Sequence, residues 1–306
     1  MENNNNTVNP DFIIYAQHGW ADTNVGMARL AKTLATPKTV TIAPDLGFLK
    51  TWFWIEPLIK QVESSVIKII SRYPNTPIKI VGHSMGGLIW LEILDRNPQW
   101  WSKIHSLVLL GSPIGGSHLA RIVDPLGVGI GIARDLGKNR RAIATKIAKE
   151  IPTLTIAGDL DNGSDGVVTV ECTKFFGSKF VSLPGVFHPA LRNHPETVKI
   201  IRDFWQNPVK TAVKEGDFIV DLVKRLRSTP GITDGHHKDF YYSQSYLSFN
   251  NGIGIHTRKN PAIDSVFLVD RDREYLWGGF VGWLHKNALN QTLERIKQEY
   301  RDSIEL

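Results

Sequence analysis

The sequence predicts an α/β fold: a mostly parallel six-stranded sheet flanked by helices, followed by a small C-terminal α+β appendage with antiparallel strands. Three observations lead there. Short apolar runs alternate with helical patterns through the first two-thirds of the 306 residues, the pattern of right-handed βαβ crossovers. One strand–turn–helix junction, Gly82-His83-Ser84-Met85-Gly86-Gly87, has glycines where a strand and a helix must approach closely. Beyond about Lys210 the alternation stops, and strand-like runs follow one another across hairpin turn signals.

Met1 to Pro10 is polar and asparagine-rich, without the basic and apolar regions of a signal peptide. It reads as a disordered tail over 1–10, and the expected location is cytoplasmic. Phe12–Ala16 then reads as a buried strand, Met27–Leu34 as a helix and Thr39–Ala43 as the second strand. Pro57–Tyr73 reads as a helix, with Leu58, Val62, Val66, Ile69 and Ile70 on one face and Pro57 suited to its first turn. Ile78–Val81 is the third strand and Met85–Arg96 the helix after the glycine-rich turn. Ser106–Leu110, Leu154–Ala157 and Lys179–Leu183 are the fourth to sixth strands, and Pro195–Trp205 closes the domain, placed at 11–209. Residues 115–150 interrupt the alternation as a lid-like insertion, with an apolar, glycine-bearing centre (Pro125 to Ala133) and a basic helix around Arg140–Lys149.

The appendage, 210–306, starts with a helix at Asp217–Arg227. Strand-like runs follow at Tyr241–Phe249, Ile253–Thr257, Ser265–Val269 and Tyr275–Trp283. Asn250-Asn251-Gly252 and Asp270–Glu274 read as hairpin turns, and Asn287–Arg301 as the last helix. Its apolar strands need covering, which favours a brace or a homodimer over a free module.

Net charge is +6, and most of the excess sits in the insertion, where seven Lys and Arg face three Asp and Glu. A solvated helix face is one reading of that patch; peripheral contact with anionic lipid is the other. No run approaches the roughly 18 apolar residues that span a bilayer. The single cysteine, Cys172, excludes an intrachain disulfide and a cysteine-based zinc site. No nucleic-acid motif is present. No cofactor and no metal are expected.

The chemistry concentrates after the strands. Ser84 lies in Gly-x-Ser-x-Gly between a strand and a helix, a sharp turn that exposes its hydroxyl. The N–H of Met85, at the helix start, points where an oxyanion would sit. A nucleophilic serine needs a base, and the base an orienting carboxylate; in folds with an elbow of this kind they follow in the order serine, acid, histidine. After the fifth strand three aspartates compete: Asp159, Asp161 and Asp165. Asp165, followed by Gly-Val-Val, is preferred and Asp161 is the alternative. His188 follows the sixth strand and is the candidate base; His194 reads as a helix-start residue and His83 as a neighbour packed under Ser84. Gln17-His18-Gly19-Trp20 follows the first strand, and Trp20 N–H would complete an oxyanion hole with Met85 N–H.

These residues together resemble the α/β-hydrolase superfamily, and more narrowly its lipase-like members. The resemblance covers roughly 12–206 and rests on His18-Gly19-Trp20, the Gly82–Gly87 elbow, Gly111-Ser112-Pro113-Ile114-Gly115-Gly116-Ser117, Asp165-Gly-Val-Val and Phe187-His188. It departs at Ile114, where a histidine or basic residue is frequent. It implies an α/β-hydrolase domain and two-step acyl transfer by Ser84, His188 and Asp165. Pro113 and Ile114 would shape the acyl site beside His18, with Trp52 and Trp54 as pocket walls. The expected substrate is a lipid or other acyl ester. A thioesterase, amidase or acyltransferase on the same triad is the alternative, and a non-catalytic binding protein the outsider.

Overall fold

The computed structural model describes residues 10–116, 131–211, 217–235 and 237–305. The chain divides into two units, Met1–Ala212 and Val213–Leu306.

In the first unit, strands β1 (Phe12–Gln17), β2 (Thr39–Ile42), β3 (Ile78–His83), β4 (Ile104–Leu110), β5 (Thr153–Asp159) and β6 (Lys179–Pro184) form one sheet in the order β2-β1-β3-β4-β5-β6. Every pairing is parallel. Between the strands run α1 (Val25–Leu34), α2 (Ile55–Arg72), α3 (Met85–Arg96), α4 (Ile132–Leu136), α5 (Arg141–Glu150), α6 (Val170–Thr173) and α7 (Pro195–Gln206). The central strands are buried on both faces, as parallel sheets covered by crossover helices must be. Alternate residues of β1 enter two different cores. Ile13 and Tyr15 join the helices α2, α3 and α5 on one face; Ile14 and Ala16 join α1 and α7 on the other.

The six expected strands and the flanking helices are present, with boundaries shifted by one or two residues. The insertion differs from its expected character. Its apolar stretch falls largely within 117–130, outside the described residues. Its basic half is a crossover helix: α5 packs on α3 and buries Ala144, Ile147 and Ala148 in the core. Two of its charges are also interior. Arg140 is buried and its Nε donates to Glu92 Oε1 at 2.7 Å; Arg141 is buried and donates to the carbonyls of Lys174 and Glu171. The basic surface available for lipid contact is therefore smaller than the charge count implied. Among the described residues no helix is long and apolar enough to cross a membrane.

The second unit is a five-stranded antiparallel sheet in the order β7-β11-β10-β9-β8, formed by β7 (Thr233–Asp234), β8 (Gln244–Ser248), β9 (Gly254–Lys259), β10 (Ile263–Val269) and β11 (Tyr275–Gly282). Helices α8 (Phe218–Arg227) and α9 (Lys286–Glu299) pack on it. The expected hairpins form: Gly252 takes φ +84° in the β8–β9 turn, and Asp270 Oδ1 accepts the N–H groups of Asp272 and Glu274 in the next. The run expected as a strand from Tyr241 instead begins with a 3₁₀ turn, His237–Tyr242. Phe240 packs edge-on against Phe267 at 5.7 Å, while Tyr241 and Tyr242 remain exposed. An aromatic run has β propensity, but here one ring's packing on the sheet decided the backbone. The short strand β7 has too few residues to leave a periodic signal.

Candidate active site

The chain leaves β1 for β2 on one side and returns to β3 on the other. Crossovers departing in opposite directions open a crevice beyond the carboxyl ends of β1 and β3, where ligands bind in open α/β sheets. Ser84 stands at that point, between β3 and α3. Its φ of 55° and ψ of −127° are unfavourable for a residue with a side chain, a strain of about 1–3 kcal/mol. Packing enforces the turn. A Cβ on Gly82 would sit 2.6 Å from Gly87 Cα, and one on Gly86 2.4 Å from the Gln17 carbonyl oxygen. Ser84 N–H donates to the Leu110 carbonyl at 2.8 Å, tying the elbow to β4.

Gly19 presses on the elbow from the β1 side: a Cβ there would lie 2.9 Å from Met85 N. This brings the loop bearing Trp20 against the first turn of α3. Neither Trp20 N–H nor Met85 N–H has an acceptor among the described residues. His18 is fully buried beneath this loop. Its Nε2 accepts Leu46 N–H at 2.9 Å, so the ring proton lies on Nδ1, which donates to the Gly19 carbonyl at 3.1 Å. Asp45 Oδ1 is 3.3 Å from the same Nε2, a contact that would need a proton there. Burial outweighs the carboxylates and holds the His18 pKa below its ordinary value, so the ring is neutral.

The loops after β5 and β6 bring Asp165 to His188. His188 Nδ1–H donates to Asp165 Oδ2 at 2.6 Å, and both side chains are buried. Asp165 Oδ1 accepts the N–H groups of Val167 (3.0 Å) and Val168 (2.7 Å). Asp165 also fixes the histidine's backbone, since its carbonyl accepts His188 N–H at 2.9 Å. The other aspartates cap their own loop: Asp159 accepts Gly163 N–H and Asp161 accepts Ser164 N–H. Gly111, with φ +54°, makes room for the imidazole, because a Cβ there would sit 2.9 Å from His188 Nδ1.

Ser84 and His188 share the wall of one pocket of about 190 Å³. Among the described residues they make no hydrogen bond to each other, and such bonds commonly tighten only when substrate binds. The remaining walls are mostly apolar, from Trp20, Pro113, Leu136, Val167 and Pro189. Asp22 and Arg192 also line it, ion-paired through Arg192 Nη1.

Pro113 thus reaches the pocket, but the other expected substrate contacts do not. His18 and Ile114 are fully buried in the interior, His18 with both ring nitrogens engaged. Trp52 is exposed and tilted against Trp20, centroids 4.5 Å apart, outside the pocket lining, and Trp54 is an exposed residue at the start of α2. Five pocket residues escaped the sequence reading: Ala21, Asp22, Leu136, Pro189 and Arg192. Arg192 follows His188 by four residues, at the end of the 3₁₀ turn His188–Arg192, and both line the pocket. Among the described residues no group of three or more His, Cys, Asp or Glu could hold a metal ion.

Residues 8–162 match the model of a family described as serine aminopeptidase, S33 (Hydrolase_4). The Bacillus licheniformis lipase BlEst2 in its propeptide form is similar in structure. Its TM-score is 0.51 at 13% identity, over 90% of this chain and 68% of that one. Est1E from Butyrivibrio proteoclasticus, solved with ferulic acid, gives 0.50 at 17% identity, over 67% and 92%. At such identities these likenesses show the fold alone. A curated sequence, the release factor glutamine methyltransferase of Aliivibrio fischeri, is 26% identical over 189 residues. That match takes in 61% of this chain, and the chain spans about half of that protein, 56%. It assigns neither family nor activity.

Proposed function

This chain belongs to the serine aminopeptidase S33 family of α/β hydrolases, and from that premise we propose that it hydrolyses carboxylic esters through Ser84, His188 and Asp165. One observation carries the reading. The Asp165–His188 pair, closed at 2.6 Å, opens onto the same pocket as a serine held at positive φ. In this mechanism His188 Nε2 takes the Ser84 proton as Oγ attacks the ester carbonyl. The oxyanion is received by the N–H groups of Trp20 and Met85, each donor worth about 3 kcal/mol. His188 then protonates the leaving alcohol and activates water to release the acid. Asp165 holds the Nδ1–H tautomer and stabilises the transient imidazolium.

The pocket supports a short acyl group over a long lipid chain. Its 190 Å³ lies below the usual 300–1,000 Å³ of ligand sites, which suits a short acyl chain. The family's name raises aminopeptidase activity, which needs a carboxylate free to bind a substrate amine. The pocket's aspartate outside the acid–base pair, Asp22, is neutralised by Arg192, which favours the ester reading.

Hydrolysis of p-nitrophenyl esters from acetate to palmitate tests both parts. Activity is expected to peak near butyrate to hexanoate. Fluorophosphonate labelling of wild type but not Ser84→Ala is expected alongside. Absence of labelling overturns the serine mechanism; a rate still climbing at palmitate overturns the short-acyl assignment.

A further inference from the structure

His83, beside the nucleophile, takes no part in the mechanism above, yet it is buried, lines the pocket and touches the base. Its ring lies on that of His188, centroids 4.6 Å apart at 42°. Its Nε2 is 3.2 Å from the His188 carbonyl oxygen. A carbonyl only accepts, so Nε2 bears the proton and donates, and Nδ1 is bare. That Nδ1 is buried without a partner among the described residues. An unpaired buried acceptor is destabilising, so packing alone would favour an apolar residue at 83.

The contact has a place in the geometry of the base. His188 is fixed by its N–H on the Asp165 carbonyl and by Nδ1–H on Asp165 Oδ2. Both restraints come from one residue on one loop, and beyond His188 the chain enters the 3₁₀ turn His188–Arg192. The His83 bond adds a restraint from a different element, the elbow itself. Residue 83 is covalently next to Ser84, so its donor ties the base's backbone to the nucleophile's backbone. Charge matters as well. Burial, then the proximity of His188, Arg192 and His18, keeps the His83 pKa well below its ordinary value. A neutral ring does not oppose the positive charge His188 acquires during turnover.

We propose that His83 is a positioning residue for the base: its Nε2–H, donated to the His188 carbonyl, sets the register between the nucleophile elbow and the loop carrying the imidazole. The proposal rests on the serine-hydrolase reading for its kinetic consequence but not for its structural one. Misplacement of about 1 Å at a reacting group costs on the order of 100-fold.

The test compares His83→Leu, which removes the donor, with His83→Gln, whose side-chain amide can donate in the same direction. Thermal melts accompany each, and His83→Phe replaces His83→Leu if the latter does not fold. In folded protein, loss of the donor is expected to lower kcat on p-nitrophenyl butyrate about 10- to 100-fold with KM changed less than about threefold. His83→Gln is expected to recover most of the loss. The low-field proton resonance of His188 Nδ1–H is read in parallel. It should be sharp in wild type and His83→Gln and broadened by solvent exchange in the donor-free variant, whether or not any ester is turned over. Equal kcat in folded His83→Leu (or Phe) and wild type, or equal loss in the Gln and donor-free variants, overturns the proposal. Absence of esterase activity in wild type, with the resonance still responding to His83, overturns the hydrolase reading and leaves the positioning role standing.

Discussion

Asp165→Asn separates the orientation of the base from its packing, and the structure fixes what the amide would do. In wild type Oδ1 accepts two backbone N–H groups, at 2.7 and 3.0 Å, while Oδ2 accepts His188 Nδ1–H at 2.6 Å. An asparagine has one oxygen and one NH₂ group. Turning the NH₂ toward Val167 and Val168 would break two hydrogen bonds, the buried one to Val168 costing about 1–3 kcal/mol and the part-buried one to Val167 less. The oxygen therefore stays there, and the NH₂ faces His188 Nδ1. An NH₂ can only donate, so Nδ1 must be bare and the imidazole proton moves to Nε2. The nitrogen that should take the serine proton then already carries one. Loss of the correct tautomer is worth about 10⁴ in kcat, or about 5.4 kcal/mol at 1.36 kcal/mol per decade. The backbone bond from His188 N–H to the Asp165 carbonyl needs no carboxylate, so the fold should survive. Steady-state hydrolysis of p-nitrophenyl butyrate, with a thermal melt on the same sample, measures both. A folded Asp165→Asn protein retaining more than about a tenth of wild-type kcat would refute the tautomer reasoning.

Ser84→Ala should lower turnover by on the order of 10⁶ without loss of folding, read by the same assay at high enzyme concentration. Gly86→Ala places a Cβ 2.4 Å from the Gln17 carbonyl and 2.7 Å from that of His18, both backbone atoms that cannot swing aside. At roughly 2 kcal/mol of overpacking, Tm should fall about 4–8 °C by calorimetry, and activity should fall with it as the oxyanion loop is displaced. His83 and His18 both have lowered pKa values, so the unfolded chain takes up protons near its ordinary histidine pKa of about 6.5 where the folded chain does not. Their stabilisation is present above that pH and is lost as pH falls below it, so Tm should drop from pH 7 to 5, less steeply in His83→Gln. For the ion pair at the pocket, a double-mutant cycle of Asp22→Asn and Arg192→Gln in denaturant melts should give a coupling of about 0.5–1 kcal/mol, since each side chain is about one-fifth exposed.

Sequence periodicity determined the order and kind of the elements. Parallel strands buried on both faces are written as short apolar runs, and crossover helices as 3.6-residue stripes, because burial selects residue type locally. The elbow was legible for a similar reason: Gly82 and Gly86 leave no space for a side chain, so the constraint is recorded in the residues themselves. A histidine after a strand looks the same in sequence whether it faces a ligand or a buried carbonyl, and only the fold puts His18 against the Gly19 carbonyl and Leu46 N–H. Net charge likewise does not reveal that Arg140 and Arg141, at the start of the basic helix Arg141–Glu150, are buried. Asp165 and Asp161 differ by four positions in one polar loop, and only the fold of that loop puts one of them 2.6 Å from His188. Composition and spacing thus determined which residue types stand at the ends of which strands. The closure of the loops in three dimensions decided which of them meet, because hydrogen bonds and ring contacts between residues 105 to 170 positions apart leave no trace in local sequence.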